Sequence, residues 1–163
     1  MKRWVKRGFL AVAAVVVLAQ FFGPARTNPQ TDPALHMYPQ LKMTAEEQQR
    51  FRGACADCHS NDTAWPWYSY VAPVSWWTID HVNHGRSHMN VSEWGKLPPR
   101  TQAALLDEMC EQVREERMPY PSYVPMHPEA QFTPEQRAAF CKWTEALQSR
   151  VTPATPPQPT TEK

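Results

Sequence analysis

Cys55, Cys58 and His59, in the stretch GACADCHSND, are the residues of this chain whose types and spacing are best suited to chemistry. In a helical turn, positions i and i+3 share a face, so both sulfurs meet one edge of a flat ligand, and the imidazole at i+4 approaches from the same side. A porphyrin carries two vinyl groups at one edge and an iron at its centre. Two thioether bonds and one axial imidazole need this spacing, which is why C-x-x-C-H reads as attachment of one covalent haem c. With four cysteines and six histidines in the chain, chance yields the pattern in roughly half a per cent of such sequences. Zinc would want a second ligand pair, and the other cysteines, Cys110 and Cys141, stand alone. A thioredoxin-like dithiol would want a strand before the motif, where the pattern here reads as a helix.

Such a haem leaves one axial place on its iron, usually filled by thioether or imidazole. Met118, in RMPYPSYVPMHPEA between two predicted helices, is the first candidate because its prolines stiffen the loop. Met126, His127, His84 and His88 are its rivals, and an ordinary gap-filling role for Met118 is the alternative. His81, His84 and His88 fall at steps of three and four and suggest a metal-binding stripe. Gly85 interrupts that stripe, so a solvated or hydrogen-bonded helix face explains the histidines better. Trp65, Trp67, Trp76 and Trp77 suit either porphyrin cover, with indole N–H groups on its propionates, or plain core packing.

The elements that must hold these residues read as helices. Thr44-Ala-Glu-Glu47 is a capping box that starts a helix over residues 45–54. Residues 74–84 carry apolar side chains at mixed helical spacing, with Gly85 offering a stop. Pro98 and Pro99 open a third helix, whose Leu105, Leu106, Met109, Cys110 and Val113 line one face. Thr133-Pro-Glu-Gln136 is a second capping box, ahead of Ala139, Phe140, Trp143 and Leu147. Nothing alternates with strand period, so the class is mainly α, and with the C-x-x-C-H motif the expectation is a small helical domain with long proline-rich loops around one covalently bound haem. Cys110 and Cys141 fall on the inward faces of the last two helices. In an oxidising compartment they are expected to form a disulfide, two separate buried thiols being the alternative.

Lys2, Arg3, Lys6 and Arg7 precede the apolar run of residues 8–22 in the order of an export signal. Residues 1–23 are therefore expected to be a signal or membrane anchor, 24–40 a proline-rich linker or strap, 41–150 the haem c-binding domain, and 151–163 a disordered tail. The run is short for a spanning helix, yet bulky Phe21 and Phe22 follow its only small-residue cleavage site. An uncleaved tether to the inner membrane is favoured over release by cleavage, and either outcome makes the domain periplasmic. A net charge of +1, from 17 basic and 16 acidic residues, gives no field for nucleic acid.

The runs CADCHSNDTAWPWYSYVAPVSWW, HVNHGRSHMNVSEW and RMPYPSYVPMHPEA, in that order, resemble the bacterial haem-binding domain family over residues 24–148. That family comprises small exported proteins with a single C-x-x-C-H, often with a hydrophobic N-terminal anchor followed by an Asn-Pro like Asn28-Pro29. The resemblance implies one covalent haem c held by Cys55, Cys58 and His59, and Met118 stands where small cytochromes c carry their sulfur ligand. The expected activity is single-electron transfer in the periplasm between redox partner proteins, with no substrate bond made or broken. The alternatives are a haem-based sensor or small-ligand binder with an open or displaceable distal site, and a peroxidase-like enzyme. The latter lacks a convincing distal acid and base, although His84 or His127 would be the nearest to that role.

Overall fold

The computed structural model describes residues 2–151, and every regular element among them is helical. The expected tail lies, from residue 152 onward, outside the described residues. The described residues form two compact units, one of residues 2–31 and 56–92, the other of residues 32–55 and 93–151.

In the second unit, Asp32 caps a short 3-10 turn, Pro33–Leu35, and His36 caps α2, Met37–Gln40. These turns fall within the stretch read as a linker, and Met37 in them is fully buried. Helix α3, Ala45–Phe51, starts at the anticipated capping box: the Glu47 amide donates to Thr44 Oγ1 at 3.2 Å, and the Thr44 amide donates to Glu47 Oε2 at 2.7 Å. The other oxygen of Glu47 accepts from the Trp143 indole at 2.8 Å. One carboxylate thereby fixes a helix start and an aromatic side chain 96 residues away.

Helix α6, Pro99–Arg114, buries Gln102, Leu106, Met109 and Val113, and α7, Pro134–Val151, buries Phe140, Thr144 and Leu147. Both sets follow the three-four spacing of one helix face, and each large apolar side chain so buried is worth about 1.5–3 kcal/mol. Gln148 bonds to Ala103, Cys141 is disulfide-bonded to Cys110, and Arg137 pairs with Glu116. Partners that descend along α7 as they ascend along α6 make the two helices antiparallel. The second capping box is present too, with Thr133 and Gln136 bonded reciprocally at 2.7 and 3.2 Å. At the end of α6, Glu116 takes a left-handed conformation (φ 58°), its amide donating to the Val113 carbonyl and that of Arg117 to the Gln112 carbonyl. This is a Schellman termination, with glutamate where glycine is usual.

In the first unit, α1, Lys2–Ala19, buries no side chain, and no described helix is long and apolar enough to cross a membrane. The residues after α1 are docked by side chains: Gln20 exchanges two hydrogen bonds with the Ala72 backbone, and Arg26 donates to the Ser69 carbonyl while lying 4.1 Å above the Tyr70 ring. Helix α4, Asp57–His59, continues the helical path that α3 began, and a 3-10 turn, Trp67–Tyr70, precedes α5, Val74–His88. Helix α5 buries Ser75, Ile79 and Val82 at i, i+4 and i+7. It does not stop at Gly85, as the sequence suggested, but runs one turn further, through His88.

Candidate functional site

Cys55, Cys58 and His59 lie on one continuous helical path. Between α3 and α4 the residues Arg52–Ala56 form a π turn, so the helix expected over residues 45–54 widens at 52 instead of continuing as α. Single π turns inside helices are frequent at functional positions because they re-aim side chains without ending the helix. Cys55 sits in the wide turn, Cys58 and His59 in the α turn that follows. Neither Cys55 nor Cys58 is disulfide-bonded, and both are half-buried.

The path ends at Ser60, whose backbone is extended. The Ser60 hydroxyl donates to the Ala56 carbonyl at 2.8 Å and accepts from the Asp62 amide, while Asp57 receives Thr63 Oγ1 on its carbonyl and the Ala64 amide on its carboxylate. Asn61 is buried, its amide donating to Ser92 Oγ and its side-chain oxygen accepting from Asn90. Buried polar groups paired this completely hold a turn in one shape.

His59 is oriented by residues 30 positions away. Its Nδ1 lies 3.1 Å from the Met89 carbonyl oxygen. A carbonyl only accepts, so Nδ1 carries the proton, and Nε2 keeps the lone pair with which a neutral imidazole ligates a metal. Histidine ligands are usually held in this way, with the second ring nitrogen donating to a carbonyl or carboxylate.

Two residues to which the sequence reading gave no part in the site, Gly85 having been read as a helix stop, lie against the motif. Gly85 of α5 faces Cys58: a Cβ there would overlap the Cys58 carbonyl oxygen and lie 3.0 Å from its carbonyl carbon and 3.2 Å from its Cβ. Glycine is needed here for close approach, not for ending a helix. One residue on, Arg86 donates to the carbonyls of Ser60 and Thr27, each at 2.7 Å, to Thr63 Oγ1 at 2.7 Å, and to Asn28 Oδ1 at 3.1 Å. It joins the segment after α1, the turn after His59 and helix α5. Burial lowers the Arg86 pKa from its ordinary value, against the pull of Cys58 and Asp62. Burial also pushes the Cys58 thiol up to about 11, with Asp57 adding to the shift and Arg86 opposing it.

The other nominated residues are placed as follows. Met118 is half-buried directly after the Schellman turn, its amide donating to the same Gln112 carbonyl at 3.0 Å, so its backbone is tied to the end of α6. Met126 is exposed, and His127 lies beside Glu129 at 3.3 Å and stacks on Tyr123 with ring centres 3.9 Å apart. His81 and His84 bond back to carbonyls of their own helix, His84 also pairs with Asp80, and His88 is exposed in the last turn of α5. Among the described residues no group of three or more His, Cys, Asp or Glu is arranged to hold a metal ion.

Of the four tryptophans considered for porphyrin, Trp65 donates to Asn28 and Trp76 to the Phe22 carbonyl, whereas Trp67 and Trp77 are exposed. Trp94 is fully buried and its Nε1–H has no acceptor among the described residues. An indole N–H is a donor only, and burying it unpaired costs about 1–3 kcal/mol. The model of a haem-binding domain family matches residues 14–146 of the chain. No curated protein matches it, and no solved structure does.

Proposed function

The chain belongs to the haem-binding domain family, and on that premise we propose that it is a monohaem c-type cytochrome, carrying single electrons between redox partner proteins on the periplasmic side of the inner membrane. The observation that carries this reading is the His59 Nδ1–Met89 carbonyl bond within a C-x-x-C-H turn, because it presents Nε2 as a ligand in a fixed direction. The donor set fits the group. Two thiols outside any disulfide suit two thioether bonds.

The bound haem would supply the one-electron couple. Cys55 and Cys58 would hold it through their sulfurs, and His59 would supply an imidazole ligand. Met118, tied to the end of α6, would supply a thioether ligand, which favours reduced iron relative to a second imidazole. Arg86 and Gly85 would keep the Cys58–Ser60 backbone from shifting as charge changes, which keeps reorganisation small. The basic residues Lys2, Arg3, Lys6 and Arg7 ahead of the exposed apolar part of α1 support export and attachment through that helix.

Magnetic circular dichroism of the oxidised protein, beside Met118→Ala, tests the ligand set. A sulfur-to-iron charge-transfer band that the substitution abolishes is expected, and a band that survives it removes Met118. The untouched reduced protein is expected to bind no carbon monoxide; binding would favour a sensor with a displaceable ligand.

A further inference from the structure

Unit one carries a ledge of exposed large apolar and aromatic side chains: Trp67 (69% exposed), Tyr70 (57%), Val71 (44%), Val74 (45%), Trp76 (38%) and Trp77 (44%). Isolated exposed side chains need no explanation, but six within residues 67–77, three of them tryptophan, mark a surface built to meet something apolar. The ledge is joined to the end of α1. Gln20 pairs with the Ala72 backbone, the Trp76 indole donates to the Phe22 carbonyl at 2.6 Å, Gly23 lies against the Trp76 ring, and Arg26 covers the Tyr70 ring.

We propose that this ledge is a bilayer-docking surface, which seats the Trp67–Trp77 region in the interfacial layer of the membrane that α1 enters. The surface presupposes the membrane attachment proposed above and adds to it. Three observations favour lipid as the occupant. Trp67, Trp76, Trp77 and Tyr70 are the residue types that settle at headgroup depth, with the ring in the apolar layer and the polar edge wet. The ledge begins where the apolar run ends, at Phe21 and Phe22, both exposed.

The third is length. The helical apolar part of the N-terminal segment, residues 8–19, spans about 18 Å at about 1.5 Å per residue, against about 30 Å of hydrocarbon. Lys6 and Arg7 can reach back to one interface with their long stems. At the other end, an aromatic ledge fixed to the helix terminus extends the apolar band and relieves the mismatch. A consequence is a fixed orientation: α5, whose Gly85 abuts the Cys58 backbone, is held by its first turn at the membrane surface.

The test uses the full-length, haem-loaded chain in vesicles of phosphatidylethanolamine and phosphatidylglycerol. Photoreactive benzoylphenylalanine replaces Trp67, Trp77 or, as a control further along α5, the exposed Asn83. All three positions are exposed, so the core is undisturbed, and haem absorbance of the same samples reads the haem assignment separately. Lipid adducts are expected by mass at 67 and 77 in several-fold excess over 83. Equal yields at the three positions in vesicle-bound protein would overturn the docking surface while leaving the anchor intact, as would adducts to protein instead of lipid. A chain that fails to float with the vesicles would overturn both ledge and anchor. Loss of haem absorbance with lipid adducts retained would strike the haem assignment alone.

Discussion

Replacing Gly85 by alanine sets two physical effects against each other, and they differ in sign. Helix propensity alone favours alanine over glycine inside a helix by about 0.8–1 kcal/mol. Position 85 lies inside α5, so a helix considered in isolation would gain that amount. The added methyl, however, would overlap the Cys58 carbonyl oxygen and crowd its carbonyl carbon and Cβ. These are backbone and near-backbone atoms of a turn pinned by Ser60, Asn61, Thr63 and Arg86, so the strain cannot be relieved by rotating one side chain. Overpacking of this kind costs about 1–3 kcal/mol or more, and moving a fully hydrogen-bonded turn puts the result at the upper end. A net loss of about 1–3 kcal/mol is expected, which lowers the melting temperature of a protein this size by about 3–10 °C. Gly53 is the internal control, because a Cβ there meets nothing within 4 Å; Gly53→Ala should be neutral or stabilising by up to about 1 kcal/mol. Thermal unfolding of the two purified holoproteins, followed by circular dichroism, reads the difference. A Gly85→Ala protein as stable as Gly53→Ala would refute the close packing of α5 on the motif.

The Cys110–Cys141 disulfide closes a loop with a sequence separation of 31, and replacing both cysteines by serine is expected to cost about 3–4 kcal/mol on the chain-entropy estimate; urea unfolding checks this, and a loss below about 1 kcal/mol would contradict it. In the haem-free chain, burial and Asp57 favour the neutral thiol of Cys58, so the folded state gains stability below pH 9 that fades as pH rises toward about 11. Alkylation of Cys58 at pH 8, followed by peptide mass mapping, should accordingly be about 100-fold slower than for an ordinary thiol and should accelerate up to about pH 11; an unretarded rate would contradict the burial.

What the sequence makes legible is what acts over a few residues. The capping boxes at Thr44 and Thr133, the apolar faces of α6 and α7 and the inward placement of Cys110 and Cys141 all follow from i, i+3 and i+4 relations. The π turn at 52–56 is not legible, because widening a helix by one residue leaves the same apolar pattern on either side. Gly85 was misread as a terminator because glycine in a helix has two causes, an ending and a close approach, and only the neighbour at Cys58 separates them. The indole partners of Trp65 and Trp76, 37 and 54 residues away, and the clamp of Arg86 on Thr27 and Asn28 depend on tertiary placement that no local spacing encodes. Residues 24–40 read as a linker or strap by composition. Arg26 and Asn28 nonetheless bind the fold through single polar groups, which leave no periodic trace.

Covalent haem at Cys55 and Cys58 is the central claim, and intact mass of the full chain from cells that mature c-type cytochromes tests it most directly, combined with the alkaline pyridine spectrum of the same sample. One haem added to the mass of the expressed polypeptide is predicted, stable to denaturation and lost as a covalent adduct in Cys55→Ser/Cys58→Ser. A colourless protein with the mass of the bare polypeptide would contradict it.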